Sequence, residues 1–333
     1  MGNGRKDHQH ITPKVYLRGF ADARGFVTVQ RRSGDEANLQ INNVAVRKRF
    51  YNFKNSQGAE IGAIEEWLDT GVESPIGPVF KRLRAGQPVR TEDVPALARF
   101  VVVQLLRTPS TEATLMQLDQ HLGPMLLAHA VFVRHEVDPT ALSAESMSAL
   151  MRAATDVWER RPLDGRRNSR LRTIARKMDE LTTELSGWTW SVLTASSPLL
   201  ITGDAPVVTF QPTGGWSGIL PTGSPVYLPL TPRLLLVGEK HCLGGDGALH
   251  PELAAHVNRR IAIEADDAII KSTVDDWPRG LTLLNTRPTL PQPTITWSKS
   301  NSTTSSLPTR FPAVVDSGIA ELLQALEAED NIE

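Results

Sequence analysis

Cysteine is almost missing from this chain: Cys242 is the one copy in 333 residues. A disulfide framework and a cysteine-built zinc site within the chain are therefore excluded, and a lone thiol is more often a small core residue than a nucleophile. An excess of either charge is missing too, with 36 basic residues against 37 acidic ones and a net charge of −1. That balance excludes a broad basic face holding duplex nucleic acid by counterion release. The run Arg160, Arg161, Arg166, Arg167, Arg170 and Arg172 reads as a solvated helix end and loop. No stretch approaches the roughly 18 apolar residues of a membrane span. The opening Met-Gly-Asn-Gly-Arg-Lys has neither the apolar core of a secretion signal nor the hydroxyl residue of a myristoylation site, so a cytoplasmic setting is expected. Internal repeats, a Walker loop, G-x-S-x-G, H-E-x-x-H and G-x-G-x-x-G are all absent, and no standard motif names a reaction.

Apolar residues make up 40% of the chain and charged residues 22%, enough for a real core. Phe26 to Gln30 alternates like a strand, after the turn at Arg24-Gly25 and before the turn at Ser33-Gly34-Asp35. Leu39 to Val46 reads as a strand or an extended link. A helix is expected from Ala59, with Ile61, Ile64, Leu68 and Val72 on one face and Glu65 inside that stripe. Gly71, Pro75 and Pro78 are expected to break or kink it. Thr91-Glu92-Asp93 opens the clearest helix, which is apolar nearly all round and ends before Thr108-Pro109. Three more helices are expected over 111–136, 143–161 and 169–186, with a kink at Gly123-Pro124. From Gly187 the pattern turns to short strands: 188–194, 199–202, 207–210, 226–230 and 234–237. A helix follows over 251–261, and residues 286–313 form a Pro/Ser/Thr-rich linker. Ile319, Leu322, Leu323 and Leu326 mark a C-terminal amphipathic helix within 314–333. The expected class is α+β, one intertwined domain over 1–285: a small N-terminal β segment, a helical region over about 59–186, and a β-rich part over about 187–285.

Termini are usually ragged and polar, yet His10-Ile11-Thr12-Pro13-Lys14-Val15-Tyr16-Leu17-Arg18-Gly19-Phe20 concentrates a His, a Pro and large apolar groups near the start. Further along stand Arg49-Phe50-Tyr51, Ile64-Glu65, Gln104-Leu105-Leu106-Arg107-Thr108-Pro109, Ile201-Thr202-Gly203-Asp204-Ala205-Pro206-Val207 and Leu228-Pro229-Leu230-Thr231-Pro232, with a looser piece from Asn258 through Ile270. In that order, over about residues 8–275, these pieces resemble the bacterial domain of unknown function 4238 family. That family's Ser-Asp-Asn-Pro is Gly203-Asp204-Ala205-Pro206 here, so a hydroxyl and an amide are missing. The resemblance itself assigns no reaction.

The polar residues of these pieces are the candidate site. His10, Glu65 and Asp204 are the candidate catalytic groups, because a His with buried carboxylates is the raw material of acid–base chemistry or of a divalent metal site. Arg107 and Gln104, with Tyr16 and Asn258, are the candidate substrate-binding groups, the guanidinium fork suiting phosphate or carboxylate. One reading is a hydrolase acting on a phosphodiester in a nucleic acid or nucleotide, in a setting such as a toxin or phage-defence effector. The other is a non-enzymatic binding or regulatory protein in which the same residues form a buried structural network, with Glu65 and Arg107 as an ion pair. The metal is left open, and His8-x-His10 alone does not define one. Glu239-Lys240 does not complete a nuclease site with Asp204, since neighbouring strand residues face opposite ways.

Overall fold

A computed structural model describes residues 8–48, 53–54, 60–61, 68–136, 138–160, 178–209, 224–240, 246–281 and 283. The fold is α+β. The chain divides into two compact units, one of Met1–Glu112 with Arg172–Thr289, the other of Ala113–Leu171 with Leu290–Glu333.

The first unit holds two sheets of four strands or more. The larger runs Gly247–Ala248, Thr189–Thr194, Leu234–Glu239, Val226–Thr231, Val208–Thr209, antiparallel except for the first pair. Its strand Val226–Thr231 is buried along five successive residues, as a strand covered on both faces must be. Pro229 sits at the irregularity where that strand meets Leu234–Glu239, the position a ladder-breaking Pro tolerates. The second sheet runs Glu36–Gln40, Phe26–Arg31, Ala268–Ser272, Thr202–Gly203 and is antiparallel. It seats the N-terminal strands beside a strand some 240 residues downstream (Val29 opposite Ile270). His8–His10 pairs with Val46–Lys48 in a small ribbon.

The core of this unit is built on the helix Val94–Leu106, in which Leu97, Ala98, Phe100, Val101, Val102, Val103, Gln104 and Leu106 are all buried. The helix Ser74–Arg84 contributes Ile76, Val79, Phe80 and Leu83 to the same cluster. A second cluster sits where Val257 and Ile261 of the helix Pro251–Glu264 meet Ile201, Leu235 and Ile269. In the other unit, Leu127 and Val131 of the helix Pro109–Arg134 share a core with Leu150 and Val157 of the helix Ala144–Arg160.

Several expectations need correction. Glu60–Ile61 is a strand paired with Phe53–Lys54, so the helix does not begin at Ala59; the described helical residues resume at Leu68, and Ile64 and Glu65 lie outside the described residues. Of the break or kink expected at Gly71, Pro75 and Pro78, the break does not occur: Asp69–Glu73 widens into a π turn and passes into Ser74–Arg84, with Pro75 in the first turn, where a missing N–H is tolerated. The helix Pro109–Arg134 runs on through Gly123-Pro124; Gly123 lies under the Trp158 indole, where an added Cβ would come within 2.1 Å of the ring. The strand Ala268–Ser272 has no counterpart among the expected elements, and the short strand Thr202–Gly203 replaces the expected 199–202. The linker and end helix after residue 285 fall outside the described residues.

Gly19 follows the short helix Lys14–Leu17, and a Cβ there would lie 2.0 Å from the Leu230 carbonyl oxygen. A backbone atom cannot swing aside as a flexible side chain can. Gly19→Ala is therefore expected to cost at least the roughly 1–3 kcal/mol of an overpacked site, read as a lowered midpoint in denaturant unfolding.

Candidate functional site

The opening segment binds three parts of the first unit. Tyr16 is fully buried, and its ring lies 6.0 Å from Phe100, 6.2 Å from Phe80 and 6.2 Å from Phe20. Its hydroxyl donates to the Pro229 carbonyl at 2.6 Å and lies 2.6 Å from Thr202 Oγ1. A phenol has one proton, so the Thr202 hydroxyl donates to the Tyr16 oxygen. Burial raises the Tyr16 phenol well above its ordinary value, which keeps it protonated and able to serve Pro229. Thr12 Oγ1 donates to the Asp204 carbonyl at 3.3 Å. Arg84 donates to the Val15 and Tyr16 carbonyls at 3.1 and 2.8 Å, capping the short helix; burial lowers its guanidinium to about 10.

Asp204 is 5% exposed, and its carboxylate accepts from the Asp266, Asp267 and Ala268 amides at 2.8, 2.7 and 3.1 Å. Arg32 holds the other side of the same junction, donating to the Ala262, Ile263, Ala265 and Asp266 carbonyls. Together they terminate the helix Pro251–Glu264 and launch the strand Ala268–Ser272. Burial pushes the Asp204 carboxyl up, to about 6, against the pull of its amide donors. Asn258 also serves the backbone. Its Oδ1 accepts from the Ile201 amide at 3.1 Å, and its Nδ2 donates to the Leu199 carbonyl at 2.7 Å. That pair supplies the irregular stretch 199–201 with the hydrogen bonds a strand would have given it.

His10, Gln104 and Arg107 form a different group. His10 Nδ1 lies 3.3 Å from the Val44 carbonyl, so the proton of the neutral ring sits on Nδ1. The His10 carbonyl accepts from Arg107 Nη2, and Arg107 Nη1 lies 3.6 Å from Glu73 Oε1. Glu73 closes the π turn, a local irregularity found often at functional positions. Burial raises its carboxyl, opposed by the Arg107 charge and reinforced by Asp69. Gln104, one helical turn before Arg107, is 1% exposed, and neither its Oε1 nor its Nε2 has a hydrogen-bond partner among the described residues. Thr108 closes this corner by accepting from the Thr111 amide at 3.1 Å, which starts the next helix.

Tyr16, His10 and Arg107 are thus gathered at one segment, with Gln104 one helical turn before Arg107. Asp204 joins it through its backbone, its carboxylate being engaged at the 266–268 junction. Asn258 sits on the 199–201 stretch, and Glu65 lies outside the described residues. Among the described residues, Glu73 is an acid that meets Arg107 at this corner, and sequence reasoning missed it; a carboxylate just ahead of Ser-Pro at a helix start was the signal available. Among the described residues, no group of three His, Cys, Asp or Glu side chains is placed to hold a metal ion. Nor is any described helix long and apolar enough to cross a membrane.

These features define an α+β protein organised around its opening segment. The chain belongs to the family described as "Protein of unknown function (DUF4238)", whose profile matches residues 8–275. No curated protein and no solved structure matches it.

Asp204→Asn keeps the size but puts an NH₂ against amide donors. The expected loss is about 1–3 kcal/mol, measured by denaturant unfolding. The folded-state pKa lies above the ordinary carboxylate value, so the unfolded chain releases this proton first. The stability linked to Asp204 is complete below about pH 4 and declines as pH rises through about 6. The gap between the wild type and Asp204→Asn is therefore expected to be wider at about pH 4 than at about pH 7.

Proposed function

We propose that this protein is a non-enzymatic binding or regulatory protein of the cytoplasm, and that the polar residues of its family pattern are chiefly a scaffold. One observation carries the reading. The side chains of Tyr16, Asp204 and Asn258 direct their polar atoms at backbone groups of their own chain. A catalytic acid or base needs an atom turned toward the reacting group, whereas a scaffold needs its atoms turned toward the fold. A lone Cys and a balanced charge suit a reducing interior and a small-molecule ligand better than a nucleic-acid duplex.

A second reading, phosphodiester hydrolysis on a nucleic acid or nucleotide, is favoured by Gln104. A buried amide with both polar atoms unpartnered among the described residues is costly and asks for a water or a ligand. Under this reading Gln104 and Arg107 grip phosphoryl oxygens, His10 is the acid–base group with Glu65, and Glu73 is a further carboxylate beside Arg107.

Gln104→Leu separates the two. The scaffold reading predicts no turnover of a chromogenic phosphodiester by the wild type and a variant that gains up to about 1–3 kcal/mol by losing an unsatisfied amide. Turnover by the wild type that vanishes in a variant of equal or higher melting temperature would overturn that reading in favour of hydrolysis.

A further inference from the structure

Away from the opening segment, a cleft of about 470 Å³ lies between the loop Pro198–Leu200, the helix Pro251–Glu264 and residues 271–279. Its volume falls in the range of small-molecule sites, roughly 300–1,000 Å³. One wall is apolar, formed by Leu199, Leu200, Pro251 and Ala254. Asn258 fixes that wall through its bonds to the Leu199 and Ile201 backbone. The opposite wall carries Trp277, whose indole N–H donates to Glu36 Oε2 at 2.8 Å.

Lys271 lines the same cleft and is 8% exposed. Its ammonium donates to the Asp275 carbonyl at 2.6 Å, lies 3.5 Å from the Ser272 carbonyl, and sits 5.3 Å from the centre of the Trp277 ring. Among the described residues, no carboxylate oxygen comes within ion-pair distance of it. Carbonyl dipoles and a ring face only partly compensate a buried cation. The cleft thus holds an apolar wall and a sheltered positive charge that is held by carbonyls and a ring face, with the Asp275 carboxylate acting on it from beyond ion-pair distance. Asp275, Asp276 and Arg279 also line it; two cations and two carboxylates balance, which disfavours a dianion and suits a ligand of single charge that seats on Lys271.

We infer that this cleft binds a small organic monocarboxylate, its carboxylate on the Lys271 ammonium and its apolar body along Leu199, Leu200 and Ala254. The inference rests on the binding reading above and names the ligand class for it. The desolvated ion pair supplies affinity and selects acids over alcohols; the apolar wall selects against short acids such as acetate.

The test titrates the full chain with octanoate, octanol and acetate, following melting temperature and calorimetric heat. Octanoate is expected to give a saturable upward shift that octanol and acetate do not. Lys271→Met is expected to weaken octanoate binding at least about tenfold while the ligand-free melting temperature holds or rises. Ala255→Trp, on the exposed helix surface at the cleft, blocks binding without touching the charge. The inference is overturned if octanoate gives no saturable shift, if octanol matches it, or if Lys271→Met binds as the wild type does. Phosphodiester turnover lost in Gln104→Leu would instead defeat the binding reading and leave the octanoate result standing.

Discussion

A single buried hydroxyl ties the first unit together. Tyr16 is fully buried and bonds through one oxygen to Pro229 in the five-stranded sheet and to Thr202 in the four-stranded sheet. Hydrogen bonds in such a dry setting are modest in net worth but costly to leave unmade. Their leverage here is geometric, because one residue near the start of the chain fixes two sheets whose strands come from opposite ends of the sequence. The aromatic contacts with Phe80 and Phe100 then attach both sheets to the central helices.

The same device recurs wherever regular structure stops. The carboxylate of Asp204 and the guanidinium of Arg32 hold the two sides of the junction between the helix Pro251–Glu264 and the strand Ala268–Ser272. Asn258 serves the backbone of 199–201, and Arg84 caps Lys14–Leu17. Each is a polar or charged side chain taking up backbone groups that ladder hydrogen bonds do not reach, which is how irregular segments are buried at tolerable cost. The family pattern therefore marks junctions. Among the described residues, Gln104 departs from this rule, its buried amide unpartnered, while Lys271 follows it with its ammonium on the Asp275 and Ser272 carbonyls and also lines a cleft.

The sequence was most readable where periodicity and chain-local chemistry decide the outcome. The helix Val94–Leu106 showed its burial in an unbroken apolar surface, and Thr108-Pro109 marked its end. The importance of the opening segment was legible from apolar and aromatic residues placed where a terminus is usually polar. Partners set by long-range pairing were not legible. Nothing local to Ala268–Ser272 says that it lies between Phe26–Arg31 and Thr202–Gly203. Nothing local to Asp204 says that its acceptors will be filled by amides more than 60 positions away. The start expected at Ala59 was misplaced because Ile61 fits a helical stripe and a strand equally well, and cross-strand pairing with Phe53 decides it. Glu73 was overlooked because a π turn shifts which residues share a face, so helical spacing counted from Ile61 misplaces it.

The central claim, that Tyr16 couples both sheets, is tested most directly by amide hydrogen exchange on Tyr16→Phe, a change that keeps the ring and removes the two bonds. The account predicts that protection falls together in 199–204 and 226–231, the two segments the hydroxyl joins, while the second unit keeps its wild-type protection. Protection lost in residues 10–20 alone, with both strands unchanged, would contradict it.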